Sequence, residues 1–108
     1  MTTDGREQHE AKIPIHVDPD LADLVQGFLD KRRNDTVVLL TALDGGDFET
    51  IRILGHSMKG SGGGYGFDAI SEIGAALEQA AKRKQPDEIR QQVRALAGYL
   101  EQVEVIDE

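Results

Sequence analysis

The stretch GHSMKGSGGGYG, residues 55–66, sets one histidine and one lysine among six of the chain's 12 glycines. An imidazole offers a lone pair to an electrophile, an ammonium offers charge to phosphate oxygens, and glycine offers backbone with no side chain over it. Two arrangements use that combination. One is a loop whose N–H groups cradle a phosphate. The other is a helix that tolerates glycine because another molecule must come close to it.

The loop reading fails on spacing. A Walker-type loop needs G-x-x-x-x-G-K-[ST] between a strand and a helix. Gly55 and Gly60 have the first spacing, but Ser61 and Gly62 follow where Lys and Ser/Thr belong. Gly64, Gly66 and Ala69 can be forced onto a dinucleotide fingerprint, yet no βαβ unit surrounds them.

The helix reading orders the residues. At roughly 100° per residue, Ile51, Leu54, Met58 and Tyr65 cluster on one side, and His56 lies about 140° from Ile51 and about 160° from Leu54 and Met58. On the His56 face stand Arg52, Lys59, Gly60 and Gly63. Each glycine in place of alanine costs a helix roughly 1 kcal/mol, so flanking helices must hold this one in place. Gly55 and Gly62 lie nearer the core side, where they let a neighbouring helix cross closely. Gly60 and Gly63 leave the outward face bare.

The elements that position this face are helical too. Asp18 is a natural N-cap with Pro19 at the first helical position. Leu21, Leu24, Val25, Phe28 and Leu29 follow at helical spacing, Leu39, Leu40 and Leu43 resume it, and Gly45 and Gly46 end it. This predicts one helix over about 19–44, with the polar KRRND as a candidate kink. Asp47 caps the next helix. A third starts near Phe67 or Asp68 on the stripe Ile70, Ile73, Leu77, Ala80 and Ala81, with Lys82, Arg83 and Lys84 suiting its negative end. Pro86 opens a fourth along Ile89, Val93, Leu96, Ala97, Leu100 and Val103. Short connections between long amphipathic helices predict an all-α, up-down-up-down antiparallel four-helix bundle with short extended termini. Ile13, Ile15 and Val17 alternate at the period of a strand, as do Val103 and Val105, and an antiparallel pairing of the two ends is open to them. The expected division is a flexible or extended segment over 1–17, with disorder over 1–11, the bundle over 18–103 and a tail over 104–108.

Composition narrows the function. A chain of 108 residues is expected to form one domain, and its net charge of −8 argues against nucleic acid and against an anionic membrane surface. It has no cysteine, so disulfide and thiol chemistry are excluded. The start is polar and acidic, unlike a signal peptide, and no apolar run reaches the roughly 20 residues of a span. A monomeric cytoplasmic protein is expected. His9 and His16 read as incidental and share no helical spacing with His56, so no metal site is expected. Ser57 has no nucleophile elbow around it.

HSMKGSGGGYG resembles the signature of histidine-containing phosphotransfer (HPt) domains, H-x-x-K-G-[SA] followed by an apolar or aromatic residue and then Gly. His56, Lys59, Gly60, Ser61, Tyr65 and Gly66 fall in place, and Ala76-Leu77-Glu78 resembles the family's third-helix pattern. The similarity covers about residues 18–103. The departures are Gly62, Gly63 and Gly64, where the family more often has Ser, Ala or Asn, and Gly55 for a usual alanine; they bear on the rigidity of this turn.

The resemblance implies that His56 accepts a phosphoryl group from the aspartate of a receiver domain and donates it to another. Lys59 and Arg52 would stabilise the phosphoryl oxygens, and Gly60 and Gly63 would allow close approach. The implied partners are response-regulator receiver domains and a hybrid histidine kinase. No cofactor is implied in this chain, since the divalent metal belongs to the receiver, and no ATP-dependent kinase activity is implied. The alternative from a different class is a non-catalytic helical adaptor that binds a signalling partner without phosphotransfer.

Overall fold

Residues 12–107 are described by a computed structural model, so the expected disorder over 1–11 and the reading of His9 lie outside the described residues. Asp18 accepts a hydrogen bond from the Asp20 N–H at 2.9 Å, and Pro19 opens a short 3-10 turn, Pro19–Leu21. Helix α1, Ala22–Asp44, begins only after that turn, slightly later than the spacing predicts. Gly46 takes a left-handed φ of 71° just past its end. Asp47 accepts from the N–H of Thr50 at 3.1 Å and from its hydroxyl at 2.6 Å, capping α2, Phe48–Gly64. Helix α3 is Asp68–Lys82 and α4 is Pro86–Gln102. The pattern of α3 reads on to Lys84, but Lys84 has a φ of 53° and belongs to the turn.

Contact pairs give the packing. Phe28 of α1 stacks on Tyr65 and Phe67, while Arg32, one turn on, reaches back to Ser61. Gly62 of α2 faces Phe67 and Ser71, while Gly55 faces Leu77 and Glu78. Both pairs therefore run in opposite senses. Helix α4 packs on α3 and on α1, which closes an all-α four-helix bundle.

The expected stripes of the last two helices are largely buried: Ile70, Leu77, Ile89 and Leu96 are inaccessible, and Val93 and Leu100 nearly so, while Ala97 is half-buried and Val103 is buried just past the end of α4. The stripe of α1 is the expected one only in part: Val25, Phe28, Leu29, Leu39 and Leu43 are buried. Leu21, Leu24 and Leu40 are 51%, 59% and 45% exposed, whereas Arg32 and Asp35 are buried. The buried positions Val25, Phe28, Arg32, Asp35, Leu39 and Ala42 step by three and four, with Leu29 and Leu43 buried beside them. The polar middle thus continues the core stripe of an uninterrupted helix. Opposite charges at i and i+3 can enter a core together where either alone could not.

The ends do pair, but not as expected. Strand β1, Ile13–Val17, lies parallel to β2, Val103–Asp107, with Ile13 opposite Val103 and Val17 opposite Asp107. An antiparallel pairing requires β1 to run straight into α1. Instead β1 starts beside the end of α4 and runs along β2, and the Asp18–Leu21 turn then redirects the chain into the bundle. Ile15, Val17 and Val105 pack against the core, so the ribbon covers one pole. Deleting residues 1–17 should lower the melting temperature by several degrees, as a loss of about 1 kcal/mol would. An unchanged melting curve would mean that the ribbon adds nothing.

Candidate functional site

Three glycines bring the backbones of α2 and α3 into contact. A Cβ on Gly55 would stand 2.7 Å from the Glu78 nitrogen, one on Gly62 2.6 Å from the Ser71 nitrogen, and one on Gly74 2.5 Å from the Lys59 nitrogen. No side chain fits there. The close-crossing reading of Gly55 and Gly62 is what the helices do, and Gly74 is the counterpart that sequence reasoning missed. Its position in the α3 stripe between Ile70 and Leu77 was the available signal. Gly60, Gly63 and Gly64 are different: an added Cβ would meet nothing within 4 Å. Helix α2 continues through Gly64, so the stretch is a helix stripped of side chains and not a phosphate loop.

This close crossing sets Glu78 of α3 beside His56 of α2. The His56 side chain is 66% exposed while that of Glu78 is 6% exposed, and Nδ1 stands 3.1 Å from Oε2. Lys59 Nζ lies 3.1 Å from Oε1 and Lys82 Nζ 3.7 Å from Oε2. Oε1 has no directed hydrogen bond, so Lys59 holds it as an ion pair. Lys59 above all, then the His56 contact and Lys82, keep the Glu78 carboxyl below its ordinary value of 4.5, against the opposing effect of burial. An ionised carboxylate has no proton to give, so Nδ1 of His56 is the donor. In the neutral imidazole Nε2 then carries the lone pair, on the exposed side chain.

The other expected residues divide. Arg52 is turned toward Glu49, with Nε 3.0 Å from Oε1 and Nη2 2.6 Å from Oε2; its partner is one turn back along α2, not His56. The helical spacing groups Tyr65 with the core side, but α2 ends one residue earlier and its register ends with it. The ring is 42% exposed and stacks on Phe28 at 4.5 Å. A cleft of about 420 Å³ opens there between α1 and α2, lined by Leu24, Gly27, Phe28, Lys31, Ser57 and Tyr65 among others. Sequence reasoning gave Glu78 no role beyond the third-helix pattern. An acid directly after the buried Leu77, four residues before Lys82, was the signal for it.

Among the described residues no group of three or more His, Cys, Asp or Glu is placed to hold a metal ion, and no helix is long and apolar enough to cross a membrane. No curated protein and no solved structure gives a significant match to the chain. The family model for the Hpt domain matches residues 23–105, from the first turn of α1 to the middle of β2, with His56 and Glu78 inside. The chain belongs to the Hpt domain family, whose members take part in histidine phosphotransfer within phosphorelays.

Proposed function

We propose that this protein carries a phosphoryl group on Nε2 of His56 between the aspartates of receiver domains. The observation that carries the reading is the Nδ1–Glu78 contact of 3.1 Å beneath an exposed ring. It fixes the tautomer that leaves Nε2 as nucleophile, on a face that Gly60 and Gly63 keep bare. In the transfer, the Nε2 lone pair attacks the phosphorus of an acyl phosphate. The N–P bond forms as the P–O bond to the aspartate breaks, and the carboxylate leaves with the bonding pair. The Nδ1 proton stays in place, and the positive charge gained by the ring faces the Glu78 carboxylate. Reversal of these steps delivers the group to a second aspartate.

Domains of this family carry no cofactor, and the divalent metal of the exchange belongs to the receiver. Lys59, whose side chain is 45% exposed, is free to exchange one oxygen of Glu78 for a phosphoryl oxygen. Lys59→Ala should then slow transfer roughly 10- to 100-fold while changing receiver affinity less. Equal losses in rate and affinity would make Lys59 a docking residue. Arg52 contributes only if the phosphoryl group draws it away from Glu49.

The direct experiment mixes the chain with phosphorylated receivers and maps the label. Cleavage after Arg52 and Lys59 releases Ile53–Lys59, in which His56 and Ser57 are the candidate acceptors. Label in that peptide, labile to acid and stable to alkali, is the expected result. Alkali-labile label would assign Ser57 instead. Tight receiver binding with no label at all would make the protein an adaptor.

A further inference from the structure

Helix α1 places a buried ion pair against the far side of the glycine stretch. Arg32 and Asp35 are each 2% exposed, with Nε 3.0 Å from Oδ2. Neither of those two atoms has a directed hydrogen bond. Burial outweighs the nearby Arg32 and Lys31 and pushes the Asp35 carboxyl above its ordinary range. Such a pair is a poor source of stability, because well-packed apolar residues of the same size often serve as well or better. Apolar residues could not, however, supply the other bond of the guanidinium. Arg32 Nη1 donates to Ser61 Oγ at 3.3 Å, and Ser61 Oγ donates in turn to the Ser57 carbonyl at 2.9 Å.

Ser61 carries the only side chain between Gly60 and Gly64. It is therefore the one side chain by which a neighbour can grip this half of α2, whose backbone meets α3 at Gly62. The Arg32 guanidinium lies 5.1 Å from the ring centroid of Phe28, and Phe28 stacks on Tyr65 and Phe67 just beyond the stretch. A run of glycines has the least to gain from staying helical, and here α1 holds it at Ser61 and again at Tyr65.

We propose that Arg32 is a positioning residue: through Ser61 it pins the glycine-rich end of α2 as helix, so that the bare face beside His56 meets a docking partner already formed. The docking half of this statement rests on the phosphotransfer reading; the pinning half does not.

The test is amide hydrogen exchange over residues 60–65 in two variants of the full chain. Arg32→Met combined with Asp35→Leu removes the pair without leaving a buried charge. Its melting temperature should hold or rise, while exchange over 60–65 quickens at least about tenfold and that of Ile51–Met58 does not. Ser61→Ala keeps the ion pair and improves helix propensity, yet exchange over 60–65 should again quicken. Unchanged protection in both variants overturns the pinning. For docking, the double variant should take label from phosphoramidate, a small donor that needs no docking surface, at the wild-type rate. The receiver concentration for half-maximal transfer should rise about tenfold, the cost of ordering the face on contact. Faster exchange with an unaltered half-maximal concentration overturns the docking half. Failure of the wild-type chain to take label from any donor would refute the phosphotransfer reading and leave the exchange result standing.

Discussion

Gly74→Val is expected to lower the melting temperature by roughly 12 to 24 °C, or to remove the cooperative transition altogether. An added Cβ would stand 2.5 Å from the Lys59 nitrogen and 2.6 Å from the Gly55 carbonyl oxygen. Both are backbone atoms, so no rotamer change relieves the clash and α2 and α3 must part. Overpacking of a core usually costs about 1–3 kcal/mol, and a branched side chain against backbone belongs at or above the top of that range. At about 4–8 °C per kcal/mol for a domain of this size, the shift follows. The better helix propensity of valine, worth less than about 1 kcal/mol, does not offset it. The measurement is thermal unfolding followed by circular dichroism. A fall of less than about 4 °C would mean that the two helices separate cheaply.

Gly63→Leu should do the reverse to the fold and more damage to the proposed function. A Cβ there meets nothing within 4 Å, and leucine is the better helix former by about 1 kcal/mol. The melting temperature should therefore hold or rise. The new side chain stands two turns along α2 from His56, where a receiver would have to approach. Transfer from a phosphorylated receiver should fall on the order of 100-fold, the loss that a buried interface centre suffers when it is blocked. Uptake from phosphoramidate should be unchanged, because that donor needs no docking surface. Wild-type transfer from the receiver would refute the close-approach argument.

These two glycines differ only in where they lie, and their difference marks what was legible in the chain. The 100° periodicity already separates Gly55 and Gly62, on the core side of α2, from Gly60 and Gly63, on the His56 side. It cannot say which atoms lie opposite. Gly74 has no signal within α2 at all, since its role exists only where α3 crosses it. Leu24 and Leu40 mislead for a related reason: an apolar residue at helical spacing reads as core, yet both lie off the buried stripe, which Arg32 and Asp35 share with Phe28, Leu29 and Leu39. Charge argues for the surface unless a partner of opposite sign enters with it, and the partner's burial is not written in the spacing.

By itself, then, the sequence determined four amphipathic helices with their caps, a histidine turned outward and a face beside it without side chains. Each of these is a local property, set by residues within a turn or two of one another. The tertiary structure alone decided that Glu78, 22 residues away in the chain, holds Nδ1 of His56 and shares its charge with Lys59 and Lys82. It also decided that β1 and β2 run parallel and that Arg32 reaches Ser61 across 29 residues. Charged side chains are long, and each has several oppositely charged candidates within the chain. Which pair forms depends on how closely the helices cross, and at α2 and α3 that distance is set by glycines on both.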